Sequence, residues 1–147
     1  MYLDSCILVK LLVTEPDSEF FIRSLVGRSL ITSELARTEV FSALLARERA
    51  GKISAPDRRR AWHEFEERVK AKEIKIEPMS SIVLRKATHS LEQCHPKVPL
   101  RTLDAIHLAT ADLCQDFPLA TTEARLRDAA ALMGFEVFPA AQDSPAN

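Results

Sequence analysis

Glycine is scarce in this chain, and so are long apolar runs. Only Gly27, Gly51 and Gly134 occur among 147 residues. That excludes a G-x-x-x-x-G-K-[ST] phosphate loop, a G-x-G-x-x-G turn and a G-x-S-x-G elbow, all of which use glycine to bring backbone close to a ligand. H-E-x-x-H is also absent. The longest apolar run, Ile7 to Val13, is broken by Lys10 and is far too short to span a bilayer. Asp4 and Lys10 likewise interrupt the opening, so no secretory leader is expected. Cys6, Cys94 and Cys114 are odd in number and lack C-x-x-C spacing. This predicts free thiols in a reducing cytoplasm and argues against a zinc knuckle or a disulfide framework.

What is present is ordinary in bulk and uneven in distribution. A hydrophobic content of 46% and a charged content of 28% suit a soluble globular protein long enough for a full core. One domain over residues 1–138 is expected, followed by a disordered tail over 139–147. The net charge of −1 hides an asymmetry. Arg47 to Lys72 carries nine basic residues against five acidic ones, whereas Asp104 to Asp143 carries seven acids against Arg125 and Arg127. A basic arm facing an acidic end suits a polyanion drawn toward a metal site, and a solvated helix face accounts for it as well.

Local signals alternate strand and helix. The opening Tyr2-Leu3 reads as a strand running into a helix, and Pro16-Asp17 starts a second helix that ends at Gly27-Arg28. Leu30-Ile31-Thr32 is a short strand, and Ser33 is the expected N-cap of a long helix stopped by Gly51. Ser54 caps the next helix, with Pro56 in its first turn. Ile74 to Pro78 alternates at period two as a strand, and Ser80 or Ser81 caps a helix to about Gln93. After the loop from Cys94 to Pro99, a helix covers about Arg101 to Gln115. A strand over Pro118 to Thr121, a helix from Glu123 to Met133 and a strand over Phe135 to Phe138 complete the series. Strands separated by helices call for parallel pairing and right-handed crossovers. The predicted fold is therefore an α/β sandwich with a parallel sheet of four or five strands.

Four carboxylates stand where this fold places ligands, beyond the carboxyl ends of the strands or facing them. Asp4 follows the first strand and reads either as a helix cap or as a ligand. Glu39 has Leu35, Ala36, Ser42 and Ala43 as its helical neighbours, with no cation in reach for an i,i+4 pair. Glu48, with Lys52 at i+4, is ordinary surface by comparison. Asp104 and Glu123 open helices, where a negative charge is favourable in any case. Converging carboxylates repel one another and persist when a cation compensates them. All-oxygen ligation favours Mg²⁺ or Mn²⁺.

Taken together, Tyr2-Leu3-Asp4-Ser5, the Ser33 to Glu39 segment, Leu103-Asp104-Ala105-Ile106-His107-Leu108-Ala109 and Thr121-x-Glu123-x-x-Leu126-x-x-Ala129-Ala130-x-x-x-Gly134 resemble a PIN domain. More narrowly, they resemble the VapC-type ribonuclease toxins of toxin–antitoxin modules, over nearly the whole chain to about Phe138. The resemblance implies a PIN-like three-layer sandwich and a metal-dependent endoribonuclease that hydrolyses RNA phosphodiester bonds. It also implies a homodimer inhibited by a cognate antitoxin. Asp4, Glu39 and Asp104 match three metal-site acids, and Glu123 matches the fourth, usually Asp. Ser5 and Thr121 are candidates to orient carboxylates or waters around them. Cys6 stands where the family often has a hydroxyl residue. Glu123, a methylene longer than usual, is expected to meet the metal through water or only with RNA bound. Arg37, Arg47 and Arg58 to Arg60 are candidates for the RNA backbone.

Other readings stay open on the residues alone. One is a catalytically weak PIN-like RNA-binding protein, and another is a DNA-directed nuclease on the same fold. His63, His89 and His95 are scattered and read as histidines without a catalytic role. His107, three residues after Asp104, reads as packing or as an orienting partner of that carboxylate. Phe20, Phe21, Leu25, Phe41, Leu44 and Leu45 are an apolar excess expected to leave a partner surface on the early helices.

Overall fold

The structure, a computed structural model, describes residues 1–140. Its elements are β1 (Tyr2–Leu3), α1 (Ser5–Leu12), α2 (Ser18–Leu25), β2 (Leu30–Ser33), α3 (Leu35–Arg49), α4 (Ala55–Lys70), β3 (Ile74–Glu77), α5 (Ser81–Cys94), α6 (Thr102–Cys114), β4 (Leu119–Ala120), α7 (Ala124–Leu132) and β5 (Val137–Phe138). The strands form one sheet in the order β3-β2-β1-β4-β5, with every pairing parallel. The fifth strand is shorter than expected, and Cys94 closes α5 instead of opening the loop. Of the expected tail, Pro139 and Ala140 are described, while 141–147 lie outside the described residues.

Alternation along each strand builds the layers, because successive side chains leave opposite faces. Leu3, Ala120 and Phe138 pack with α1 to α4, around Ile7, Phe21, Val40, Leu44 and Phe65. Tyr2, Leu119 and Val137 pack on the other face with Leu108 of α6 and Leu126, Ala129 and Ala130 of α7. Val83 and Ala87 of α5 meet Ala105 and Ala109 of α6, and small residues at that contact let the two helices approach closely. Phe21, Leu25 and Leu44, expected to be partly exposed, are buried to 0%, 5% and 0% exposure. Phe20, Phe41 and Leu45 are half-buried, and the most exposed apolar side chains in this part of the chain are Ile22 of α2 and Val26 just after it, at 48% and 76%.

Helix ends follow local chemistry. Ser54 accepts from the Asp57 amide while Asp57 accepts from the Ser54 amide, a reciprocal cap that satisfies two free donors. Ser80 accepts from the Val83 amide at 3.4 Å, and Ser33 Oγ accepts from the Leu35 amide at 3.2 Å. Gly51 and Gly134 leave their helices at φ of +67° and +77°, where a Cβ is strained. Around the central strand the chain departs to β2 on one side and to β4 on the other. The crevice at that switch point lies beyond the carboxyl ends of β1 and β4. Asp4 follows β1 there, and Thr121 follows β4.

Candidate metal centre

Asp4 occupies the N-cap position of α1 but makes no capping bond. The residue is only 6% exposed, and its side chain turns to β4, accepting from Thr121 Oγ at 2.7 Å. The same oxygen, Oδ2, accepts from Cys6 Sγ at 3.1 Å. Burial, with Asp4 alongside, pushes the Cys6 thiol up to about 12, so it stays protonated and acts as the donor. A thiol therefore does what a hydroxyl would do at that position. Oδ1 lies 3.7 Å from His107 Nε2, beyond hydrogen-bond range, and is left for a ligand.

Glu39 arrives from α3, which runs beside α1. Ser5 Oγ donates to Glu39 Oε2 at 2.5 Å, and His107 Nε2 meets the same oxygen at 2.6 Å. Burial pushes the Glu39 carboxyl up, but the bonds from His107 and Ser5 outweigh it and hold the group below the ordinary carboxylate value. Thr121 Oγ donates to Asp4 and also accepts from the Glu123 amide at 3.0 Å. Ser5 and Thr121 thus each hold one of the acids by a hydrogen bond.

His107 is the member that local spacing missed as a partner of Glu39. It is 1% exposed, with Nδ1 2.8 Å from the buried Tyr2 hydroxyl. It reaches Glu39, 68 residues away in sequence, and not the neighbouring Asp104 carboxylate that the sequence suggested. Burial disfavours its cation, but the Glu39 bond and the surrounding Asp4 and Asp104 charges raise its basicity overall. A carboxylate only accepts, so the Nε2 hydrogen is committed to Glu39 whether or not Nδ1 is protonated. Asp4, Glu39 and His107 do bring ligand atoms within 4.8 Å of one another. With Nε2 so engaged, His107 orients Glu39, and the atoms offered to a cation are carboxylate oxygens.

Asp104, in the first turn of α6, lines the same cavity of about 610 Å³ as Asp4, Glu39 and Glu123. Burial and the neighbouring Asp4 raise the Asp104 carboxyl above its ordinary value, against the lowering pull of the Arg101 backbone, Arg125 and His107. The nearest salt-bridge partner of Asp104 is Arg125, at 4.0 Å. Glu123 holds the N-cap position of α7, also without a capping bond, and its side chain is exposed at the cavity rim. Like charges on hard oxygens around one cavity, with the Asp104 proton affinity raised by Asp4, form a donor set that fits a divalent cation such as Mg²⁺ or Mn²⁺. His63, His89 and His95 are exposed and do not line this cavity.

A family model described as the PIN domain matches residues 1–132. The chain belongs to the PIN domain family. This PIN domain is 38% identical over 143 residues to Ribonuclease VapC46 of Mycobacterium tuberculosis (strain ATCC 25618 / H37Rv), covering 94% of this chain and 95% of that protein. Its fold is similar to the crystal structure of FitAcB from Neisseria gonorrhoeae, with a TM-score of 0.67 and 16% identity over 93% of this chain and 95% of that one. It is also similar to a toxin–antitoxin complex from Klebsiella pneumoniae, with a TM-score of 0.56 and 17% identity over 84% and 87% of the two chains.

The basic residues expected to meet RNA are mostly engaged elsewhere. Arg37 pairs with Glu66, Arg58 with Glu48 and Arg60 with Asp57. Glu48 is thereby matched ten residues along the chain instead of at Lys52. Arg47 donates through Nε to Glu15 at 2.9 Å, and Lys10 holds the other oxygen of that carboxylate. Among the described residues, Arg59 makes no ion pair.

Proposed function

We propose that this PIN domain is a metal-dependent endoribonuclease, the toxin of a toxin–antitoxin pair, with Asp4, Glu39, Asp104 and Glu123 as its metal-site acids. The observation that carries the reading is that Asp4 and Asp104 face one cavity and that, among the described residues, no lysine or arginine forms an ion pair with Asp4 and only Arg125, at 4.0 Å, does so with Asp104. The 38% identity with a protein named as a ribonuclease supports RNA as the substrate. Bound Mg²⁺ or Mn²⁺ supplies a Lewis acid for the phosphoryl oxygen and lowers the pKa of the attacking water. The chain's own contribution is positioning. Thr121 and Cys6 fix Asp4 through one oxygen and leave the other toward the cavity. Ser5 and His107 fix Glu39 in the same manner. Hydrolysis then joins the water oxygen to phosphorus and breaks one P–O ester bond, with the departing oxygen taking up a proton.

The reading includes an antitoxin partner and a homodimer in the cytoplasm. No helix among the described residues is long and apolar enough to cross a membrane. Ile22 on α2 with Val26 just after it, and Met79, Ile82 and Leu84 around the start of α5, leave apolar surface suited to protein partners. Sedimentation at micromolar concentration tests the dimer, and a monomer there argues against it. The activity is tested by incubating single-stranded RNA and DNA with the protein in Mg²⁺, in Mn²⁺ and in chelator. Cleavage of RNA alone, dependent on metal and lost in Asp4→Asn and Asp104→Asn, is expected. Cleavage that persists in chelator overturns the metal-dependent mechanism, and cleavage of DNA alone overturns the substrate.

A further inference from the structure

Three arginines line the acidic cavity, Arg47, Arg101 and Arg125, and their side chains are in different states. Arg47 is spent. Its Nε and Nη2 donate to Glu15, and its Nη1 donates to the Ala43 carbonyl at 3.3 Å. Arg101, the residue before α6, is exposed, and among the described residues its side chain has neither an ion pair nor a hydrogen bond. Arg125 has a single charged neighbour, Asp104, at 4.0 Å, too far for a hydrogen bond. Both guanidinium forks therefore keep their donors while standing at the mouth of a cavity lined by four carboxylates.

We infer that Arg101 and Arg125 bind the RNA backbone, gripping phosphates that flank the scissile one; this rests on the ribonuclease reading above. The electrostatics require some such device. An anionic strand must approach Asp4, Glu39, Asp104 and Glu123, and a cation held among them offsets only part of that charge. A guanidinium fork pairs two N–H donors with two phosphate oxygens, a geometry that an ammonium group does not offer. The basic arm of α3 and α4 is a weaker candidate, because Arg37, Arg47, Arg58 and Arg60 would have to abandon carboxylates already in place, and Arg59, which has no such partner, does not line the cavity. Arg101 and Arg125 have no such bond to break.

The test is equilibrium binding of a short fluorescent single-stranded RNA to the full chain in chelator, where the strand stays intact, over a series of salt concentrations. Arg101→Ala and Arg125→Ala are each expected to weaken binding by about tenfold, in keeping with the loss of a charge-assisted bond. Each is also expected to flatten the plot of log affinity against log salt by about 0.7, the value for one phosphate contact on a single strand. Arg125→Lys keeps the charge beside Asp104 but loses the fork, and should recover only part of the affinity. Arg59→Ala removes the same charge from α4, away from the cavity, and should change both quantities little. In Mg²⁺ the two cavity variants should raise KM more than they lower kcat, and calorimetry should find Mn²⁺ affinity retained in Arg101→Ala. A double variant that binds RNA with the wild-type affinity and slope overturns the inference, as does Arg59→Ala matching either cavity variant. Cleavage by the wild type in either case leaves the ribonuclease reading standing. A wild type that neither binds nor cuts RNA removes that reading, and the inference with it.

Discussion

The charged residues of this protein are arranged in two ways. Along α3 and α4, Arg37–Glu66, Arg58–Glu48, Arg60–Asp57 and Arg68–Glu64 pair opposite charges, so most of the arginines there already have a carboxylate partner. At the carboxyl ends of β1 and β4, Asp4 and Asp104 share a cavity with Glu39 and Glu123, and among the described residues no lysine or arginine side chain lies within hydrogen-bonding distance of either carboxylate. In the first arrangement each of those four pairs neutralises itself. The second is held together by Thr121, Cys6, Ser5 and His107, donors that position carboxylates without discharging most of them. A fold tolerates repulsion of that kind where a ligand relieves it. Charge density alone thus says little about where chemistry sits. The basic stretch from Arg47 to Lys72 is the quieter region.

The contrast is sharpest at Asp4. Asp4→Asn keeps a side chain able to accept from Thr121, so the fold should persist, but it removes the charge beside Asp104. Mn²⁺ binding followed by calorimetry should be lost, and RNA cleavage should fall by more than the roughly 10–100-fold typical of residues that only support a metal ligand. The metal-free variant should unfold at the same or higher urea concentration, because relief of repulsion favours the folded state. Metal affinity matching the wild type would place the cation elsewhere.

His107→Gln comes next. It removes the ring that links Tyr2 to Glu39 and leaves Glu39 braced by Ser5 alone. A loss of roughly 10–100-fold in metal affinity or activity is the scale for such a partner. The metal-free protein carries a second signature, in pH. The raised His107 basicity contributes stability that is full below the unfolded imidazole pKa and is lost as pH rises through the higher folded value. The lowered Glu39 pKa contributes stability present above the unfolded carboxylate pKa and lost as pH falls through the lower folded value. These are one interaction seen from its two partners and count once, so its contribution is greatest between about pH 4.5 and 6.5. Urea titrations in chelator should show wild type and His107→Gln differing most in that window and converging above it. A difference that is flat with pH would mean that the pair is not ionised.

Much of this was legible in the sequence, for physical reasons that also mark the limit. Alternating β and α segments, caps at Ser54 and Ser80, and carboxylates beyond strand ends are local or topological signals, and a parallel sheet carries Asp4 and Thr121 to one edge whatever the details. The Glu39–His107 bond is neither local nor topological. Helical spacing tests only neighbours within about four residues, and it found none for Glu39; the partner arrives from α6 across the core. The one clue was His107 on an otherwise apolar helix face, which packing explains equally well. The burial of Phe21, Leu25 and Leu44 is not legible locally for a related reason. Phe21 and Leu44 needed a sheet face to cover them, and β1 with its neighbours supplies one.

Glu123 separates the two kinds of charge more finely, and a smaller effect is expected there. It lines the cavity, yet its side chain is exposed and takes no hydrogen bond from the donors that brace the other acids. Its backbone amide, not its carboxylate, is tied to Thr121. A long, unbraced carboxylate suits an outer position, reached through water or with RNA bound, since Mg²⁺ keeps several of its waters. Glu123→Gln should therefore lower cleavage while leaving Mn²⁺ affinity within a few-fold of wild type. If calorimetry finds metal lost as completely as in Asp4→Asn, Glu123 is a direct ligand.

The smallest effect is expected on the arm itself, at Arg37→Ala. Arg37 and Glu66 join α3 to α4 through a pair whose side chains are 36% and 35% exposed, so water screens much of the attraction. Exposed pairs contribute about 0–1 kcal/mol, and the change removes no apolar core. Stability in urea should shift by no more than about 1 kcal/mol, and raising the salt should narrow the difference because screening weakens such pairs. RNA affinity should stay close to wild type, since Arg37 is already committed to Glu66 and does not line the acidic cavity. The informative companion is Glu66→Gln, which frees Arg37 without removing it. If α3 and α4 carried the RNA path, releasing that guanidinium would tighten binding and steepen its salt dependence. If the path runs through the cavity mouth, Glu66→Gln should bind RNA no better than a change of one unit in net charge allows, and its response should match that of any other surface acid removed at the same distance.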